Sequence, residues 1–186
     1  MSPIAKISRV LVGVDLDEAS ASALKMARVL SSTWDADITV FHASTPDAPA
    51  YFTADQIEAL ETEREQSRAR TIDQLRAFAE PHVQRAVHVV VEEGPPGDAL
   101  VRMAADFDLI VVGTHRRHGA RRWWLGSVAE AVVRRSPRPV LVVPAGAGVP
   151  DTRGPITILA AGSENGGGAT CFRHGGTSGN HEHGTR

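Results

Sequence analysis

The chain has 186 residues, 42% hydrophobic, 23% charged and 5% aromatic, and 20 Lys and Arg against 22 Asp and Glu set a formal charge of −2. This composition fits one compact domain, excludes global disorder and, on bulk charge, argues against a dedicated nucleic-acid binder. No run reaches the roughly 18 apolar residues of a membrane helix; the opening MSPIAKISRV lacks a signal-peptide core, and the single Cys171 excludes an internal disulfide, so a cytoplasmic protein is expected.

In chain order, apolar runs alternate with helical patterns. Residues 9–15 (RVLVGVD) form a β-branched run suited to a buried parallel strand. Ala23, Met26, Ala27 and Leu30 follow at i, i+3, i+4 and i+7, the spacing of an amphipathic helix. Residues 37–43 (DITVFHA) read as the second strand. Thr53 with Gln56 is a capping-box signal for a long charged helix that ends near Phe78, closed by Pro81. Residues 87–91 are a third strand, Gly94-Pro95-Pro96-Gly97 a turn, and Asp98 the N-cap of a helix through Ala105. Residues 108–113 (DLIVVG) give the fourth strand. Ser127 with Glu130 forms a second capping box, opening a helix through Arg135 that Pro137 stops, and residues 140–143 (VLVV) are the fifth strand. Near-continuous apolar strands separated by helices predict a parallel sheet covered on both faces, a doubly wound α/β domain over residues 1–146.

Nine of the 17 glycines lie after residue 150. Residues 147–186 show no period beyond ITILA and cannot bury enough surface to offset their ordering entropy, so a flexible Gly/His-rich tail is expected. Cys171, His174, His181 and His183 are residue types that ligate zinc or nickel, but their spacing matches no common structural site and no metal site is assigned. The stretch 156–164 (ITILAAGSE) admits two readings, a degenerate stub of a second repeat or a tail with a short apolar run.

Open parallel sheets bind ligands beyond the carboxyl ends of their strands. Three strand ends carry suitable residues: Gly13-Val14-Asp15, Phe41-His42-Ala43, and the stretch from Val112-Gly113 to Gly126-Ser127-Val128. A glycine before a helix start lets a phosphate reach the helix amides, with the Ser127 hydroxyl as a further donor. Asp15 at the neighbouring strand end is placed to accept hydrogen bonds from ribose hydroxyls. Together these suggest a nucleotide, against the plainer reading of a cap at Ser127 and a turn former at Asp15. Neither GxxxxGK[ST] nor GxGxxG after a strand is present. Residues 113–138 hold seven arginines and one glutamate, while residues 47–80 hold eight acids and four arginines, an asymmetry that would focus a polyanion near the fourth strand. The plainer reading makes most of those arginines solvated. His115 and His118 read as polar loop residues or phosphate donors, and Trp123-Trp124 as packing under the loop or at a dimer contact.

The segment VVGTHRRHGARRWWLGSVAEAVVRRSPRPVLVVP resembles the signature region of the universal stress protein family, and RVLVGVDLDEASASAL is similar to that family's first strand and helix. The resemblance spans roughly residues 7–145. It implies an adenine-nucleotide-binding α/β fold with sheet order 3-2-1-4-5, usually dimeric, serving stress survival and regulation. ATP, with or without Mg2+, is the implied ligand. The family's ATP-binding members carry Gly, two residues, Gly, nine residues, then Gly-Ser or Gly-Thr. Gly113 matches the first position and Gly126-Ser127 the last pair, while Arg116 stands where the middle glycine would be. Asp15 matches the nucleoside aspartate, and the residues around Ala43 match the segment lining adenine.

Three functions follow. The first is a regulatory module that binds ATP through Gly13, Val14, Asp15, Ala43, Val112, Gly113, His115, Arg116, Gly126, Ser127 and Val128, with a homodimer formed through residues 140–143. No catalytic base is identifiable, so hydrolysis is not implied. The second is a dimeric interaction protein of the same fold without a nucleotide. There Arg116 obstructs the site, at a strain of about 1 kcal/mol if the position needs a glycine conformation; in the first reading its guanidinium binds phosphate instead. The third is a slow ATPase or a nucleotidyl-transfer relative, which lacks motifs such as SGGxDS.

Overall fold

A computed structural model of the chain describes residues 7–44, 54–115, 125–148, 157–160 and 170–173. Strand β1 (Arg9–Gly13) leads to helix α1 (Glu18–Trp34), β2 (Asp37–Ser44), α2 (Ala54–Val83), β3 (His88–Glu93), α3 (Pro96–Met103), a 3-10 turn at Ala104–Asp106, β4 (Leu109–Thr114), α4 (Ser127–Arg135) and β5 (Val140–Pro144). The five strands form one parallel sheet in the order β3-β2-β1-β4-β5, the expected doubly wound topology.

Alternation along β1 explains why its neighbours lie where they do. Val10 and Val12 point into a core with Ala23, Leu24 and Leu30 of α1 and Leu75, Ala79 and Val83 of α2. Leu11 points the other way, to Phe41, Leu100 of α3, Ile110, and Ala129 and Val132 of α4. β1 is therefore buried on both faces, which is why it reads as an unbroken apolar run. Helices α1 and α2 cover one face, α3 and α4 the other. The chain changes face between β1 and β4, and a crevice opens at that switch point.

The structure corrects the sequence reading in several places. Strand β1 ends at Gly13, so Val14 and Asp15 lie in the turn beyond it. Pro81 does not close α2, which continues to Val83 with Pro81 inside its last turn. Leu75, Ala79 and Val83 lie buried along one face there, and this packing outweighs the lost backbone donor. Gln84, at φ 56, ends the helix instead. The expected turn at Pro96-Gly97 is already α3, with Pro95 as its N-cap. Proline suits a first helical position because its missing N–H would be unpaired there anyway, and Asp98 falls in the first turn rather than at the cap. Ser127 is the first residue of α4, not its cap, and Glu130 pairs with Arg134 at 3.5 Å, so no capping box forms there. Thr53 lies outside the described residues.

Beyond the domain, β6 (Thr157–Ala160) and β7 (Thr170–Arg173) pair antiparallel. The second of these has no periodic signal in the sequence. Four residues are too few for one, although Thr and Phe suit a strand. The pairing is also unlike the parallel one of β1 with β2, which a second copy would repeat. His174, His181 and His183 lie outside the described residues. Among the described residues no helix is long and apolar enough to cross a membrane, and no cluster of three or more His, Cys, Asp or Glu could hold a metal.

His82 sits in the last turn of α2, with its ring centroid 5.1 Å from that of Phe78. Burial, and secondarily the Lys25 ammonium, holds its imidazole below the ordinary value of 6.5. A folded-state value below the unfolded one stabilises the fold above pH 6.5 and is lost as pH falls through that value and below. Urea denaturation from pH 7.5 to 5 should show stability falling on acidification, with a shallower fall in His82→Gln. Equal slopes for the two proteins would refute this assignment.

Candidate functional site

A cleft of about 570 Å³ opens at the switch point, within the usual range for small-molecule sites. Its lining brings together Gly13, Val14, Asp15, Ala43, Val112, Gly113, His115, Gly126, Ser127 and Val128 from four separate chain segments. Each is a residue singled out in the sequence. Arg116, His118, Trp123 and Trp124 lie outside the described residues. The cleft also takes in Phe41 and His42, quoted in the sequence only as part of the second strand end, and Asp17, Ser20, Pro96 and Leu100, which were given no site role.

The wall at β1 is built by a sharp turn. Val14 N–H donates to the Phe41 carbonyl at 2.9 Å, the last backbone link to β2. Asp15 N–H donates to the Ser20 hydroxyl at 2.8 Å. Leu16 then takes a left-handed conformation at φ 54, which costs a non-glycine residue about 1–2 kcal/mol. Asp17 caps α1 by accepting from Ser20 N–H at 2.6 Å, and its other carboxylate oxygen lies 3.1 Å from His115 Nε2. The turn is thus held by its backbone and by its neighbours, while the Asp15 side chain stays 86% exposed over the cleft. A carboxylate, which only accepts, is left there for a ligand's donors. The signal for the missed pair is Asp17-x-x-Ser20, a capping pattern directly before the amphipathic run.

At β2 the strand outruns its neighbour. β1 pairs with β2 only as far as Gly13 opposite Phe41, whereas β2 stays paired with β3 through Ser44 opposite Glu93. Ala43 therefore has a strand on one side and the cleft on the other. His42 Nδ1 lies 2.8 Å from the Val14 carbonyl and 3.9 Å from Asp15 Oδ1.

The two glycines of the β4–α4 segment do different jobs. At Gly113 a Cβ would stand 2.5 Å from the Ala19 carbonyl carbon and 2.6 Å from its oxygen, so α1 packs against β4 with no space for a side chain. At Gly126 the backbone is ordinary, φ −62 and ψ 159, and among the described residues nothing lies within 4 Å of a built Cβ. No described residue demands glycine at this position. Gly126 is the N-cap of α4 and contributes no side-chain cap bond, so the first amides of the helix open towards the cleft with their positive partial charge.

Of the seven arginines between residues 113 and 138, Arg134, Arg135 and Arg138 are described, and none of these lines the cleft. Arg134 pairs with Glu130, Arg135 with Asp98, and Arg138 donates to the Ala105 carbonyl at 2.9 Å. What remains is an apolar slot of Val14, Phe41, Pro96, Leu100 and Val112, with an acidic turn and a helix N-terminus along its rim. Such a site accepts a flat apolar ring that carries a polyol and an anion.

A family model described as the universal stress protein family matches residues 6–144. A universal stress protein of Mycobacterium tuberculosis is 32% identical over 138 residues, covering 72% of this chain and 43% of that protein. The chain thus spans less than half the length of this curated relative. Among solved structures, a universal stress protein in complex with cAMP matches at 25% identity and TM-score 0.52, covering 76% of this chain and all of that one (100%). A universal stress protein of Lactobacillus plantarum shares the fold at 23% identity and TM-score 0.54, over 75% of this chain and 99% of that one.

The two glycines should separate in a stability measurement. Gly113→Ala forces a Cβ into the α1 backbone and should lower the unfolding free energy by about 1–3 kcal/mol. Gly126→Ala meets open space and should change it by less than about 1 kcal/mol. Urea midpoints at pH 7.5 test both. Equal losses would mean that α1 and β4 do not pack as described.

Proposed function

The chain belongs to the universal stress protein family, and from that premise and the cleft we propose that it is a cytoplasmic stress-response regulator that binds ATP or a related adenine nucleotide without acting as a dedicated catalyst. The observation that carries this reading is the open space at Gly126, beside an uncapped helix N-terminus and across the cleft from an exposed aspartate. A glycine that no described residue requires is accounted for by a ligand that approaches the backbone there, and phosphate suits a helix N-terminus.

The other parts of the molecule's ligand follow from the same lining. The Asp15 carboxylate accepts from ribose hydroxyls. The Ala43 backbone edge supplies one donor and one acceptor, the complement of the N1 and N6 edge of adenine, and the ring lies between the apolar side chains of Val14, Phe41, Leu100 and Val112. The relative in complex with cAMP supports an adenine nucleotide as the class.

Self-association belongs to the same proposal. Among the described residues β5 is an edge strand with β4 on one side only, and its Val140, Leu141 and Val142 are half-buried. Apolar edges of this kind are usually covered. Light scattering should return twice the 19.8 kDa chain mass, and Leu141→Lys should return the single mass. A monomeric wild type would reject the dimer.

Calorimetric titration with ATP and magnesium should give saturable binding. Asp15→Ala, which deletes hydrogen bonds to a charged group, should weaken it about tenfold to a hundredfold. Arg116→Gly decides between the two readings of that arginine, since tighter binding means obstruction and weaker binding means a phosphate contact. No heat of binding up to millimolar ATP would sink the nucleotide reading and leave the interaction protein in its place.

A further inference from the structure

His42 lines the cleft, but neither the family comparison nor the proposed function gives it a task. Its side chain is only 18% exposed, although it stands at the carboxyl edge of the sheet. Its Nδ1 lies 2.8 Å from the Val14 carbonyl oxygen, an atom that only accepts, so Nδ1 carries the hydrogen and donates.

The register shows what this bond replaces. Val14 N–H donates to the Phe41 carbonyl at 2.9 Å, and Gly94 N–H donates to the Ser44 carbonyl at 2.9 Å. Phe41 therefore turns its backbone groups towards β1 and Ser44 turns its groups towards β3. Period-2 alternation directs those of Ala43 towards β1. In a parallel ladder the next rung would be Ala43 N–H to the Val14 carbonyl. That rung is not made: the pairing stops at Gly13 opposite Phe41, and the imidazole occupies the acceptor instead. Among the described residues nothing else takes the Ala43 amide.

We infer that His42 is a positioning residue that ends the β1–β2 ladder one rung early, satisfying the Val14 carbonyl so that the Ala43 amide stays free to read the edge of a base. This rests on the nucleotide reading above for the identity of the ligand, but not for the geometry. The same bond fixes Val14, and with it the peptide that leads to Asp15, so one imidazole sets the spacing between the base-reading and sugar-reading groups. The consequence is a division of labour along the ligand. His42 governs the nucleoside half, and the N-terminus of α4 governs the phosphates.

The side-chain chemistry supplies the test. Asparagine places its Nδ2 close to where Nδ1 of histidine stands, whereas glutamine reaches towards Nε2. Titration of adenosine and of ATP should show His42→Ala weakening both by the same factor, about tenfold for a lost hydrogen bond. His42→Asn should recover most of the loss, and His42→Gln should not. Gly126→Val, by contrast, should weaken ATP and leave adenosine unchanged. A His42→Ala that binds both ligands like wild type, or that loses ATP alone, overturns the inference.

The unliganded protein provides a second readout that no nucleotide enters. By NMR-detected amide exchange, the Ala43 amide should exchange freely in wild type and become protected in His42→Ala, where it closes the rung to Val14. Equal exchange in the two folded proteins overturns the inference. If wild type binds neither adenosine nor ATP, the proposed function fails and this exchange comparison still decides the role of His42.

Discussion

The site depends on how closely α1 lies against the end of β4. No Cβ fits at Gly113, because the Ala19 backbone occupies the space within 2.5–2.8 Å. That contact fixes the first turn of α1 at the rim of the cleft, and the rest of the rim is attached to that turn. Ser20 holds the Asp15 amide, Asp17 meets His115 beyond β4, and Ser22 accepts from Gly146 N–H at 3.0 Å in the turn after β5. The Thr114 carbonyl accepts from Ala145 N–H at 2.8 Å and closes the ring. Three strand ends and a helix N-terminus are thus tied together by bonds of ordinary length around one place where a side chain is forbidden.

The two glycines mark the limit of what a sequence can say about such a site. Gly113 and Gly126 belong to the same spaced motif and look equivalent as letters. One is demanded by the packing of α1, and the other meets open space among the described residues. Only the surroundings tell them apart, since a close approach of backbone and an open space both select glycine.

The same division runs through the rest of the chain. The strands were legible because β1, β2 and β4 are buried on both faces and therefore run apolar without interruption. The site was legible as three strand ends, because the rule that places ligands at carboxyl edges needs only strand order. What escaped was decided by tertiary packing. Pro81 reads as a stop, but Ala79 and Val83 on either side of it are buried and carry the helix through. Asp98 and Ser127 read as caps, but Pro95 and Gly126 hold those positions. The roles of Pro96 and Leu100 in the cleft depend on α3 crossing behind β1, which no local pattern records.

Energetically, the turn after β1 is an expensive structure for a short loop. Leu16 holds a left-handed conformation that costs about 1–2 kcal/mol, and its side chain is 42% exposed, so it recovers little by burial. Two carboxylates stand within three residues of each other, Asp15 almost wholly in solvent. A turn built for stability alone would relax Leu16 and cap α1 without crowding its own backbone. Here the Ser20 hydroxyl, the Asp17 cap and the His42 ring hold the strained path from both sides. Strain that its surroundings overdetermine is what functional sites accumulate. The direction of the constraint is informative: the Asp17 carboxylate is used to cap α1 and to meet His115, while among the described residues the Asp15 carboxylate accepts no hydrogen bond.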